Sequence, residues 1–164
     1  MNEQEQPIDA LQTTALHVLE IMPLIMQIVT TELRQAEYTL VPTHLGVLSV
    51  LAQRPHNLSE LAEFHGVSLP TMSGIISRMT KDGWVERQRD PSDRRKLIID
   101  LTANGRLLLA QILGRIVTRL TALLAPLKET EQEKLQIGLG VLRHVLVNDD
   151  SVIWANTIKL AEGV

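Results

Sequence analysis

A mainly α-helical chain with one small β-hairpin is the fold class these 164 residues predict, on three observations. Apolar residues recur near helical spacing along most of the chain. Around residues 84–101 the period shortens to that of strands, about the turn signal "DPSD". Two helix-start signals, Asn57 with Glu60 and Ser68 with Pro70, stand just before that change and give short helices.

Residues 8–37 read as the first helix, with Ile8, Leu11, Leu16, Leu19 and Met22 near helical spacing. Pro23 should kink or break it, because proline removes a donor and clashes with the preceding turn. Residues 41–52 are the second, with Pro42 at a first-turn position, and "QRPHN" ends it. Asn57 opens "LSELAEFH", which ends at Gly66. Ser68 caps the next helix, which runs to about Asp82 and is closed by Gly83. Its apolar stripe is Leu69, Met72, Ile75, Ile76 and Met79. Pro70, Thr71, Ser73, Gly74, Ser77, Arg78 and Lys81 face away from that stripe. "WVERQR" and "KLIIDL" are the strands. Thr102 caps a long helix over 103–125, closed by Pro126. Thr130 and Glu133 have capping-box spacing and open a helix to about Val147, and 152–162 forms a last short one.

Composition narrows the chemistry. With no cysteine there is no disulfide framework, thiolate metal site or thiol switch. The aromatics are Tyr38, Phe64, Trp84 and Trp154, so the core must be aliphatic. The five histidines have no tight ligand spacing, and no nucleophile–base pair stands out. No metal, cofactor or enzymatic activity is expected. The opening "MNEQEQP" is polar and acidic, unlike a signal peptide, and the longest apolar run, 21–29, is too short to span a bilayer. A cytoplasmic protein without membrane contact is expected.

Net charge is −3, which argues weakly against nucleic acid until it is localised. Residues 68–96 hold seven cations against four anions, a local charge of +3, and the remainder carries nine against fifteen, or −6. Two helices joined through Gly66-Val67 and followed by a cationic hairpin make a winged helix–turn–helix. Its second helix would present polar and cationic side chains to a DNA major groove, and its N-terminus would offer free N–H groups to phosphate. In the hairpin "RDPSDRRK", Asp90 and Asp93 tie the turn, while Arg89, Arg94, Arg95 and Lys96 carry its charge. Arg95 is the preferred groove residue, since guanidinium suits a narrow minor groove.

Residues 58–105 resemble the MarR family of bacterial transcriptional regulators. The family's wing signature, Asp-x-x-Asp-x-Arg, falls on Asp90, Asp93 and Arg95, and "LTANG" looks like its strand-to-helix exit. The resemblance implies a homodimer on a pseudo-palindromic double-stranded operator, most simply a repressor. Residues 1–37 and 103–164 would pair the subunits around a winged domain at 38–102. It also implies a cleft for a small, often phenolic anion that weakens DNA binding, with His17, Thr43, His44 and Arg115 as lining candidates. Gly74 departs from the family's larger polar or cationic residue at a recognition-helix position. Two other readings compete: a winged-helix module that binds protein only, and an enzyme's dimerisation domain. The +3 segment disfavours the first, and the lack of a cofactor loop after residue 105 the second.

Overall fold

The structure, a computed structural model, describes residues 9–35, 40–89 and 97–147. Its order is α1 (Ala10–Arg34), α2 (Pro42–Leu51), α3 (Leu58–Phe64), α4 (Leu69–Lys81), β1 (Val85–Arg89), β2 (Leu97–Leu101), α5 (Ala103–Leu124) and α6 (Glu129–Val147). The two strands pair antiparallel, Val85 opposite Leu101 and Arg89 opposite Leu97. This is the mainly helical, hairpin-bearing winged helix the sequence predicts.

Local chemistry sets most boundaries. Asn57 Oδ1 accepts from the Glu60 amide at 3.0 Å and Glu60 Oε2 accepts from the Asn57 amide at 3.1 Å, so the box at α3 is closed. Gly66 and Gly83 take φ of +60° and +76°, the left-handed values that end α3 and α4 without a Cβ clash. Thr102 does three jobs at once. Its Oγ1 accepts from the Gly105 amide at 3.0 Å, capping α5, and donates to the Gly83 carbonyl at 2.6 Å. Its own amide donates to the Trp84 carbonyl at 3.1 Å. The turn after α4 is thereby fastened to the start of α5.

Three features of the helices bear on these expectations. Pro23 sits inside α1 without ending it. Its missing N–H leaves the carbonyl of Leu19 without the usual i+4 donor, and the helix runs on through Arg34. At α6 the pairing predicted for Thr130 and Glu133 gives way to one two positions earlier: Glu131 Oε2 accepts from the Lys128 amide at 2.8 Å. Finally, α1 and α5 are long and apolar enough to cross a membrane by length and composition, although no uninterrupted run predicted it. In α5, Leu108, Leu109, Ile112 and Ile116 are buried in the core. The helix expected at 152–162 lies outside the described residues.

The core joins α2, the inner faces of α3 and α4, both strands and α5: Leu48, Leu51, Leu61, Met72, Ile76, Met79, Trp84, Ile99 and Leu109 are all buried in it. His56 ties the wing to this core. Its amide donates to the Ile99 carbonyl at 3.1 Å and its carbonyl accepts from the Ile99 amide at 2.8 Å. Its ring meets Phe64 edge-on at 5.4 Å and Nδ1 lies 3.1 Å from Glu60 Oε2.

Burial holds the pKa values of His44, His56 and His65 below the ordinary histidine value, despite the opposing pull of Asp82 on His44 and Glu60 on His56. Burial pushes Glu60 up, but the Asn57 amide, His56 and Arg54 outweigh it, and its pKa is lowered. The unfolded chain therefore takes up protons first in both cases. The histidine contribution is complete above about pH 6.5 and is lost as pH falls through the lowered folded values. The Glu60 contribution is lost later, within the carboxylate range. Thermal unfolding followed from pH 8 to pH 4 should show Tm falling from about pH 6.5 downward; a flat Tm between pH 6.5 and 5 would contradict this.

Candidate nucleic-acid interface

α4 has two faces. Met72, Ile76 and Met79 are fully buried and Ile75 is half-buried, each of the buried three stabilising the fold by about 1.5–3 kcal/mol. Leu69, predicted as part of this stripe, is instead 49% exposed, because it is the first residue of the helix and overhangs the core. On the other face Pro70, Thr71, Gly74, Ser77, Arg78 and Lys81 are exposed and Ser73 is half-buried. Ser68 caps the helix: its Oγ accepts from the Thr71 amide at 3.3 Å and lies 2.8 Å from Thr71 Oγ1. A Cβ on Gly74 would meet nothing within 4 Å among the described residues, so packing within the chain does not demand glycine there.

The hairpin stands beside this outer face. Successive strand residues point to opposite sides, so "ERQR" at 86–89 separates its charges. Arg87 pairs with the buried Ile99 and Arg89 with Leu97, on the side that packs toward α4. Glu86 and Gln88 take the other side, where Gln88 Nε2 donates to Glu86 Oε1 at 2.6 Å. Arg87 then reaches the helix: its Nη2 donates to Ser77 Oγ at 3.1 Å, with both residues exposed. Helix and hairpin thus share one polar surface. Arg87 contributes to the local charge of residues 68–96 but is not among the site residues the sequence predicts. The alternation of charge along β1 was the signal that could have found it.

The cations differ in how they are held. Arg78 Nε donates to Asp82 Oδ2 at 2.9 Å, an exposed i,i+4 pair of modest strength that partly cancels its charge. Arg106 pairs with Asp100 at 3.2 Å, beside the hairpin strand. Lys81 is exposed at the last turn of α4. Arg89 ends β1, and Asp90, Asp93, Arg94, Arg95 and Lys96 lie outside the described residues.

The four residues proposed to line a ligand cleft face different neighbours. His17 is exposed on α1 and Thr43 is half-buried on α2. His44 meets Trp84 edge-on at 6.0 Å. Arg115 is engaged by the end of α1, with Glu32 Oε2 at 3.4 Å and the Gln35 carbonyl and side-chain oxygens at 3.4 and 3.3 Å. A cavity of about 30 Å³ between α2, β2 and α5, lined by Ala52, Leu101, Arg106, Leu109 and Ala110, includes none of the four and has room for little more than a water.

Residues 41–97, from the start of α2 to the start of β2, match the model of the MarR family. The chain carries a MarR family domain. Among curated members it is 30% identical over 91 residues to the uncharacterized HTH-type transcriptional regulator YfiV of Bacillus subtilis (strain 168), covering 56% of this chain and 57% of that protein. It is 31% identical over 91 residues to the HTH-type transcriptional repressor YetL of the same organism, covering 54% of each. The chain therefore spans about half the length of the curated relatives it matches. Its fold is similar to that of FabT from Streptococcus pneumoniae, solved in complex with DNA, with a TM-score of 0.66 at 21% identity over 84% of this chain and 97% of that one.

Proposed function

We propose that this MarR family chain is a sequence-specific DNA-binding transcriptional regulator, a homodimeric repressor that binds a pseudo-palindromic operator in the cytoplasm. The observation that carries the reading is the Arg87–Ser77 hydrogen bond of 3.1 Å, which puts the hairpin's cationic side next to the polar face of α4. A helix with such a face fits the major groove, and the hairpin beside it follows the adjacent backbone or minor groove. The name of the relative YetL, a transcriptional repressor, supports the direction of regulation.

Residues 38–102 make the DNA contacts, and 1–37 with 103–164 pair the subunits. Supporting the pairing, α1 exposes Leu11 (76%), Leu19 and Leu24, and α6 exposes Ile137 (69%), Val141 and Val145, which is more apolar surface than a lone subunit ordinarily leaves in water. A small aromatic or phenolic anion releases the repressor. A thermal-shift screen of aromatic acids checks this: a binder raises Tm, and a flat series argues against it.

Selection of bound duplexes from a random pool, at stated salt, tests the whole reading. An enriched pseudo-palindrome with half-site centres about 10 base pairs apart, or a multiple of that, is expected. A pool that stays random contradicts it. Sedimentation at micromolar concentration should give a dimer, and a monomer would defeat the pairing of the flanking helices.

A further inference from the structure

We infer that Arg87 is a phosphate clamp between wing and recognition helix, and that Ser77 is its positioning residue. The inference rests on the DNA-binding reading above and assigns a contact within it.

The guanidinium of Arg87 is held differently from those of other paired arginines. Arg54, Arg78, Arg106 and Arg115 each pair with a carboxylate. Arg87 does not: no carboxylate among the described residues lies in ion-pair reach of it, and its hydrogen-bond partner is the neutral hydroxyl of Ser77. A carboxylate orients an arginine and cancels its charge. A hydroxyl orients it and leaves the charge intact. Arg87 also starts from a β-strand, with its side-chain direction fixed by the pairing with Ile99. One Nη2 hydrogen is used on Ser77, so the other donors of the fork remain for an acceptor that approaches from the exposed side. Both residues are exposed, and the acceptor meets them between the outer face of α4 and the hairpin. A DNA phosphate at the groove edge has the matching charge and the matching oxygen pair, which arginine bonds in bidentate fashion.

The test uses the full chain and a duplex taken from the selection, with affinity measured over a range of salt. Arg87→Gln should weaken binding about tenfold at low salt, equally for cognate and scrambled duplexes. It should also flatten the slope of log K against log salt by about 1 per subunit. Ser77→Ala should weaken binding about threefold with the slope kept, because the charge remains and only its aim is lost. The double variant should match Arg87→Gln alone, since the two act as one unit. Arg87→Lys should keep the slope and lose affinity as Ser77→Ala does; it carries the test if Arg87→Gln lowers Tm. An unchanged slope in Arg87→Gln overturns the clamp, as does a loss confined to one base pair, which would mean base reading. Additive effects of Ser77→Ala and Arg87→Gln would overturn the positioning role. Wild-type chain that fails to bind any duplex sinks the DNA-binding reading itself, whereas wild-type binding with an unaltered Arg87→Gln sinks only the clamp.

Discussion

Gly105→Ala should destabilise the fold by about 3 kcal/mol, the upper end for overpacking a well-packed site. A methyl group built on Gly105 would overlap the carbonyl oxygen of Trp84 and press on Leu101 Cδ2 at 3.3 Å. That carbonyl cannot swing away cheaply, because it accepts the Thr102 amide at 3.1 Å. Nor can the Gly105 backbone retreat, since its own amide is held by Thr102 Oγ1 at 3.0 Å. The first turn of α5 and the turn leading into β1 must separate, and Trp84, 3% exposed, must lose packing. Denaturant unfolding of wild type and variant measures the difference. A change below about 1 kcal/mol would mean that the α5 start shifts freely and is not what anchors the wing.

Ile76→Ala should cost about 2–5 kcal/mol, the range for emptying a fully buried aliphatic site. Ile76 has no exposed surface and lies with Met72 and Met79 on the inward side of α4, so the cavity opens under the centre of that helix. The contrast with Lys81→Ala is what links packing to function. Lys81 is exposed, so its loss should leave Tm nearly unchanged while lowering DNA affinity and the salt slope. Ile76→Ala should lower Tm strongly and reduce DNA binding by removing folded protein or misplacing the outer face. If both variants shifted Tm equally, α4 would not have the two separate faces described.

What could be read from the sequence was local. The Asn57–Glu60 box and the caps at Ser68 and Thr102 span four residues, and every atom they need is inside that span. The amphipathic pattern of α4 was equally local, apart from Leu69 at its overhanging end. Where two candidates competed, pattern alone did not choose: Glu131 and Glu133 are both suited to reach back to a helix start, and Glu131 does. Pattern alone also left open whether Pro23 would kink α1 or break it, and the helix is unbroken there. Contacts between elements were out of reach. The backbone bridge from His56 to Ile99 joins a segment that reads as a plain loop, "QRPHN", to the inner residue of β2. The Arg87–Ser77 bond needs the hairpin folded against α4 before either residue stands out.

In the proposed complex the outer face of α4 lies in a major groove, with the hairpin alongside. Methylation protection of guanine N7 on a selected duplex tests this most directly, because that atom lines the major groove. Two protected clusters are expected, about 10 base pairs or a multiple of that between centres, one for each subunit's α4. Full binding with every guanine N7 still open to methylation, on duplexes with guanines in both half-sites, would contradict it.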